Sequence, residues 1–582
     1  MKLRKLTINN FRGIRELEWE LHGNIACLVG TGDSRKSTIL LALEYLFWNT
    51  WNLAISEVDF YQRKTDTPIK ISAIVTDLPK KIADEDKFGL HLGFYDPDNK
   101  TFHKDDSTQD KRVKALHICL TIESNFEPTW EVIPFQLQEQ RDTQKINATE
   151  RRLLGILRIG NYTEADLTWG RNSAMSRMTE NIDQIPDMLA SLERDILNAI
   201  GNADLSTLNQ TVRNFEQGCQ ALGVDSGNKV QAGIDPSRMS LRQGAVALLD
   251  ENLPLTLRGA GSRRLMSMAA NKTSIKDGAV ILIDEIENSL EPYRLRHLIR
   301  QIRPNKDETH QVIFSTHSAV SVVECKSDEL YVVRNENGKI FVVQVGTELQ
   351  DIARKVPEAF LAKRTIVCEG KTEEGFLIGL DKEYWEPKRL INKKKYQNMA
   401  EAGAMPVLGG GDESPKIAVA LANLGYQVAF FGDSDKVDKL IPSIAEMELN
   451  AINVILWDMN ENIGVSIEER LCFDLPLEAL SEVVKLAIKI KVEDNSSEQE
   501  VWNEIYRHIT ISPQDKNFQS LQSMVSESDL RQKLGKAACK GGWFKRRDKG
   551  EHLAKLVTRY LNQMELTPTM KTLKQLEAWC YE

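Results

Sequence analysis

Arg364–Phe376, RTIVCEGKTEEGF, and Val428–Lys436, VAFFGDSDK, decide the fold of the second half of this chain. Each is an apolar strand that ends in carboxylates. Glu369 leaves the first strand, Glu373 follows one helical turn later, and Asp433 and Asp435 leave the second. Between them lie a Gly-rich loop, GGGDESP at 409–415, and a helical pattern from Pro415 to Leu424. Strand, loop, helix and strand in that order predict a parallel sheet, whose carboxyl edge is where open α/β folds hold their sites. Acidic oxygens gathered there without His or Cys are the hard ligands that Mg²⁺ or Mn²⁺ prefers.

A glutamate followed by a D-x-D pair, in this order and setting, resembles the Toprim domain. The resemblance implies cutting or joining of phosphodiester backbones with two metal ions, and it implies a further acid downstream for the second metal. IGVSIEERLC offers Glu468 and Glu469 at a helix start, and Glu468 is the choice. Lys545, in GGWFKRR, resembles a family lysine that approaches the scissile phosphate. It lies in the most basic stretch of the chain, Arg531–Lys549, RQKLGKAACKGGWFKRRDK, which includes Trp543 and Phe544 and reads as a phosphate-binding surface.

The first half carries a different chemistry. NIACLVGTGDSRKSTILLALEYLF (24–47) is an apolar strand, a Gly-containing loop and an apolar helix. Backbone N–H groups of such a loop and helix start face phosphate oxygens, Lys36 neutralises charge and Ser37 reaches Mg²⁺. The loop from Gly30 through Thr31, Gly32, Asp33, Ser34, Arg35, Lys36 and Ser37 to Thr38 departs from the phosphate-loop pattern at Arg35, where Gly is the rule. A side chain there threatens the close approach of backbone to phosphate. Downstream, GAVILIDEIENSLEP ends a strand in Asp284 and Glu285, suited to hold the Mg²⁺ shell and to orient an attacking water. LRGAGSRRLMSMAA (257–270), with Gly261 in its turn, resembles the signature motif of ABC-type ATPases, and His317 in QVIFSTHSAVSV resembles their switch histidine.

Taken with the N-terminal NNFRGI strand and its Arg12, these motifs resemble an ABC ATPase of the SMC or RecF kind, here followed by Toprim. That fusion resembles the OLD (overcoming lysogenization defect) family, and the likeness spans nearly the whole chain. It implies an α/β protein. An ABC/SMC-like ATPase domain at 1–345, with a helical dimerisation insert at about 150–240, precedes a Toprim nuclease domain with C-terminal helices at 360–582. It also implies Mg–ATP at the first site, Mg²⁺ or Mn²⁺ at the second, and DNA as the substrate. The implied assembly is a homodimer or dimer of dimers, acting in prokaryotic antiphage defence with an operon partner, a UvrD-like helicase or a retron reverse transcriptase with its RNA/DNA. The alternative is a RecF-like regulatory ATPase whose Toprim fold binds DNA without cutting, against which Glu369, Asp433 and Asp435 argue.

Between the motifs, Ile182, Ile185, Leu189, Leu192, Ile196, Ile200, Leu205, Leu208, Val212 and Phe215 recur at helical spacing, with Pro186 near a helix start. This is a buried hairpin or, preferred on the family resemblance, a dimer surface. Residues 85–150 alternate as antiparallel strands flanking the ATPase core, and Gln62 is a weak match for a nucleotide-sensing glutamine. The 582 residues allow about two to four domains. No run nears the roughly 18 apolar residues of a membrane span and no signal peptide precedes the first strand, so a cytoplasmic protein is expected. The eight cysteines form no C-x-x-C pair, which speaks against zinc and for reduced thiols. A net charge of −9 disfavours a protein that coats nucleic acid everywhere and leaves local basic surfaces open.

Overall fold

Short apolar runs such as IACLV, VILI and QVIFS are buried at every position, the mark of strands covered on both faces. They form the parallel centre of the N-terminal sheet, in the order Ile156–Ile159, Val280–Ile283, Gln311–Ser315, Ile25–Val29 and Leu330–Glu336. Beyond Leu330–Glu336 the sheet continues through Lys339–Gln344, Ile14–Glu20, Lys2–Phe11, Ile69–Thr76, Val113–Ile122, Leu92–Asp96 and Thr101–His103, mostly antiparallel. The flanking strands expected in residues 85–150 are Leu92–Asp96, Thr101–His103 and Val113–Ile122, with Pro128–Ile133 paired to the last. The structure is a computed structural model and describes residues 1–103, 112–135, 143–160, 164–170, 173–179, 184–201, 206–221, 230, 246–274, 278–304, 310–434, 437–457, 465–509 and 517–581.

The second sheet has four strands, all parallel, in the order Ala404–Leu408, Arg364–Cys368, Gln427–Gly432 and Asn453–Leu456. Arg364–Cys368 and Gln427–Gly432 are neighbours in register from Arg364 opposite Gln427 to Cys368 opposite Phe431. This sets Glu369 and Asp433 side by side at one edge. Helix Lys371–Leu380 packs against helix Arg547–Thr558 at backbone distance. A methyl on Gly375 would collide with the Arg547 carbonyl, and one on Gly550 would lie 2.6 Å from the Thr372 carbonyl. The two sheets share one apolar core in which Val29 and Val332 of the first join Val367 and Phe430 of the second and Phe360 of the turn that precedes it. Each such side chain, fully buried, is worth about 1.5–3 kcal/mol, which binds the halves together.

Two helices, Gln184–Gly201 and Asn209–Ala221, occupy the expected insert. They are not a buried hairpin. Leu189 is covered, but Met188, Leu192 and Phe215 are 49, 45 and 57% exposed. The basic C-terminal stretch also differs from its reading as one phosphate-facing surface. Trp543 and Phe544 are core residues, Arg531 caps three carbonyls from Cys472 to Leu475, and Arg546 and Lys549 pair with Asp494. An aromatic pair beside a tight Gly-Gly turn gains more from burial than from a solvent-facing position, so Lys536, Lys540 and Lys545 are left as exposed cations.

Candidate nucleotide and phosphodiester sites

The first site grows from the end of strand Ile25–Val29, where the chain turns through Gly30 into helix Lys36–Leu46. Gly30 has φ +143° and a methyl on it would lie 2.6 Å from the Val333 carbonyl, so only Gly fits. Arg35 adopts φ 75°, ψ 21°, the left-handed conformation natural to the Gly it replaces. Its guanidinium lies over Gly13, in the turn between the first two strands, where any methyl would strike it. The side chain therefore leans away over Gly13, and the loop keeps its turn.

Lys36 is 3% exposed and its ammonium donates to Gly30 O at 3.0 Å, Thr31 O at 2.9 Å and Ser34 Oγ at 3.1 Å. Burial lowers its pKa to about 8, opposed by Glu287, Asp284 and Glu285. Ser37 Oγ and Ser315 Oγ both donate to Asp284 Oδ1, at 2.9 and 2.6 Å, while Arg158 reaches Asp284 Oδ2 at 3.3 Å and Glu44 at 2.6 Å. Thr38 follows Ser37 in the first helical turn, and Gly32 and Asp33 form the exposed tip of the loop. Glu285 is exposed, with its N–H on Ser315 Oγ at 2.8 Å. His317 is exposed too, its N–H on Glu287 Oε1 at 2.6 Å. Arg12 is held by buried Asp59, Nε to Oδ1 at 2.8 Å. Gln62 is exposed and turned by φ 54°, touching only Tyr61 among hydrogen-bond partners in the described residues.

Structure thus brings Lys36, Ser37, Asp284, Glu285 and His317 to one end of the parallel strands. Gly261 opens helix Ala260–Ser274 and abuts the Ser289 carbonyl, a few residues past the Asp284–Glu285 turn. Arg264 of the same helix ties that turn down through the carbonyls of Asp284 and Glu285, at 2.9 and 2.8 Å. Arg158, Arg264, Ser315 and Glu287 escaped the sequence reading. Glu287 sat inside the quoted DEIENSLEP, whereas nothing near Arg158 marked it.

At the second site Glu369 Oε2 accepts the Asp433 N–H at 2.9 Å, and a methyl on Gly432 would lie 2.7 Å from that oxygen. The Gly-rich loop closes over the strand end, Gly409 N–H on Cys368 O at 2.7 Å and Gly411 N–H on Glu369 O at 2.8 Å. Glu373, in the first turn of its helix, is 4% exposed and its pKa is pushed up to about 7, by burial first and then by Glu468 and Glu369. Burial, with Glu373, Glu468 and Glu369, also holds the Asp433 carboxyl well above its ordinary range. Glu468 is equally buried, raised by burial and eased by Lys545, and its Oε1 has no hydrogen-bond partner. Its neighbour Glu469 is spent on a capping box with Ser466, which separates the two acids that sequence left adjacent. Asp435 lies outside the described residues.

Among the described residues no three His, Cys, Asp or Glu side chains are already spaced to hold a metal ion. The donor chemistry nevertheless fits a hard divalent cation. Four carboxylates sense one another's charge, Lys545 is the cation that eases Glu468, and one buried oxygen is unsatisfied.

Residues 1–158 and 161–321, more than half of the chain, match the model of the AAA ATPase domain. The chain belongs to the AAA ATPase domain family. This ATPase is similar to the ATP/GTP phosphatase of Helicobacter pylori (strain ATCC 700392 / 26695), 22% identical over 345 residues, 54% of this chain and 85% of that one. It is a distant homologue of the Old nuclease of Escherichia phage P2, 23% identical over 434 residues, 66% of this chain and 70% of that one. A match of that extent runs past the ATPase segment. The solved structure of the recombination mediator protein RecF with ATP covers 59% of this chain and 99% of its own at 12% identity, with a TM-score of 0.30, too low to build on. Among the described residues no helix is long and apolar enough to cross a membrane.

Proposed function

We propose that this ATPase chain is a nucleotide-regulated, metal-dependent DNA endonuclease of the OLD type, acting in antiphage defence. The observation that carries the reading is the meeting of Glu369, Glu373, Asp433 and Glu468 at the carboxyl edge of the second parallel sheet. These acids, with Asp435, would hold Mg²⁺ or Mn²⁺. Bound there, the metal supplies an activated water and charge for the leaving oxygen. The chain's own part is to orient and to neutralise. The Ile467 N–H on Asp433 Oδ1, at 2.9 Å, fixes one carboxylate, and the Asp433 N–H fixes another, that of Glu369. Lys545 adds positive charge beside Glu468, where the phosphate would develop charge.

At the first site Lys36, Ser37 and Asp284 would bind Mg–ATP, with Arg12 and the loop from Gly30 to Thr38 around it. Glu285 would orient water and His317 would sense the terminal phosphate. On the family resemblance, the signature turn around Gly261 of a second copy would complete the site in a homodimer or dimer of dimers. The exposed apolar residues of the 184–201 and 209–221 helices support the same assembly. The division into an ATPase domain at 1–345 and a Toprim domain at 360–582 belongs to this reading, as do DNA as substrate and an operon partner. ATP occupancy then gates DNA access through the shared core. Incubating purified protein with supercoiled plasmid and Mg²⁺ or Mn²⁺, with and without ATP, tests it. Metal-dependent nicking is expected, and an intact plasmid under all conditions would leave only a regulatory ATPase.

A further inference from the structure

The turn after strand Val280–Ile283 and the turn after strand Gln311–Ser315 are joined rung by rung. Ser315 Oγ donates to Asp284 Oδ1, the Glu285 N–H donates to Ser315 Oγ and the Ile286 N–H to the Ser315 carbonyl at 3.1 Å. The last rung is Glu287. Its Oε2 accepts Thr316 Oγ1 at 2.7 Å and its Oε1 accepts the His317 N–H at 2.6 Å. Both oxygens of one carboxylate thus grip consecutive residues of the segment that ends in the exposed His317. Glu287 is also the foremost negative charge felt by Lys36 and Arg264, so it sits inside the field of the site. Its bonds are charge-assisted and short, the kind that hold a segment in one geometry.

We infer that Glu287 is a positioning residue for nucleotide turnover: by holding Thr316 and the His317 N–H it sets where the His317 ring stands relative to the Asp284–Glu285 turn. The inference rests on the nucleotide-site reading. It assigns Glu287 no contact with nucleotide and no proton to move. A carboxamide keeps both contacts, because Oε1 still accepts the His317 N–H while Nε2 donates to Thr316 Oγ1; the charge is lost and the Thr316 bond reverses direction, but the segment stays held. Alanine loses both and leaves the His317 N–H without its acceptor.

The test measures binding of a fluorescent ATP analogue and steady-state ATP hydrolysis by the full chain and its Glu287→Ala, Glu287→Gln and Thr316→Val variants. Glu287→Ala is expected to lower kcat about 10- to 100-fold while KM for ATP stays within about threefold, since misplacement alone costs this much. Glu287→Gln should recover kcat to within about threefold of the parent, and Thr316→Val should fall between. Adding Thr316→Val to Glu287→Ala should cost no more than the Ser318 N–H contact that the hydroxyl also accepts, because the bond to Glu287 is already gone. An unchanged kcat in Glu287→Ala overturns the inference, as does a Gln variant as slow as the Ala variant, which would make the charge and not the grip decisive. A parent that binds ATP but does not turn it over overturns it too. A parent that binds no ATP removes the nucleotide-site reading itself. Thr316→Val deletes one hydroxyl, which donates to Glu287 and accepts the Ser318 N–H at 3.0 Å, and keeps the test decisive if Glu287→Ala does not fold.

Discussion

The Arg334 guanidinium stacks over the Tyr426 ring with 3.5 Å between its carbon and the ring centre, and so links the two sheets. Arg334 follows Val333, whose carbonyl backs Gly30 of the phosphate loop, and Tyr426 precedes the strand that leads to Asp433. Burial and the neighbouring cation act oppositely on the phenol, and burial prevails, pushing its pKa up to about 12. Its hydroxyl donates to Phe360 O at 2.8 Å. Tyr426→Phe should lose only that bond, about 1 kcal/mol, whereas Tyr426→Leu should lose about 2–4 kcal/mol in urea unfolding because the stack goes as well. Equal losses would show that the ring holds nothing.

Glu369→Ala and Asp433→Ala each remove an oxygen donor from the acid cluster. Plasmid nicking should drop at least about 100-fold in either variant with melting temperature preserved, since removing one carboxylate relieves the crowding of like charges around Glu373. Cleavage at the parental rate by either pure variant would remove the Toprim assignment.

Arg35 holds a Gly conformation only because Gly13 makes room for its side chain. ATP binding with slow turnover is expected of the parent, with faster hydrolysis after Arg35→Gly. Gly13→Val should push the guanidinium back toward the loop and weaken ATP binding about tenfold, roughly 1.4 kcal/mol. Rapid parental hydrolysis that Arg35→Gly leaves unchanged would end the idea of a slow nucleotide switch.

Leu192 and Phe215 expose large apolar surface on the two insert helices, as an interface does before its partner arrives. Light scattering should give a dimeric or tetrameric mass at micromolar concentration, and Leu192→Glu with Phe215→Glu should shift it toward monomer. A monomeric parent, with and without nucleotide, would contradict the assembly.

His117 sits on strand Val113–Ile122, and burial, aided slightly by Lys5, lowers its pKa to about 4. With the folded pKa below the unfolded one, the unfolded chain binds the extra proton as pH falls. Stability is therefore intact above about pH 6.5 and lost toward pH 4, by at most about 3 kcal/mol from this group. His117→Phe should flatten that part of the decline in urea unfolding between pH 7 and 4.5. Parallel curves for variant and parent would show that His117 is protonated without cost.

Strand ends and loops were legible because their causes are local. Apolar runs of five residues, Gly at forced turns and acids just past a strand mark Glu369, Asp433, Lys36 and Asp284 without any knowledge of partners. The same local reading could not choose between Glu468 and Glu469, since both lie in one helical turn. Only the tertiary placement of that helix, packed on helix Glu527–Gly541 with its Ile467 N–H on Asp433, buries one and leaves the other to cap. Nor could it see that Trp543 and Phe544 belong to the core, that Arg35 rests on Gly13, or that Glu287 grips Thr316 and His317 from a separate strand end. Those are contacts between residues far apart in the chain. Their existence depends on strand order and register, which periodicity does not encode, so the sequence determined which chemical groups stand at each strand end and the tertiary structure decided which of them meet.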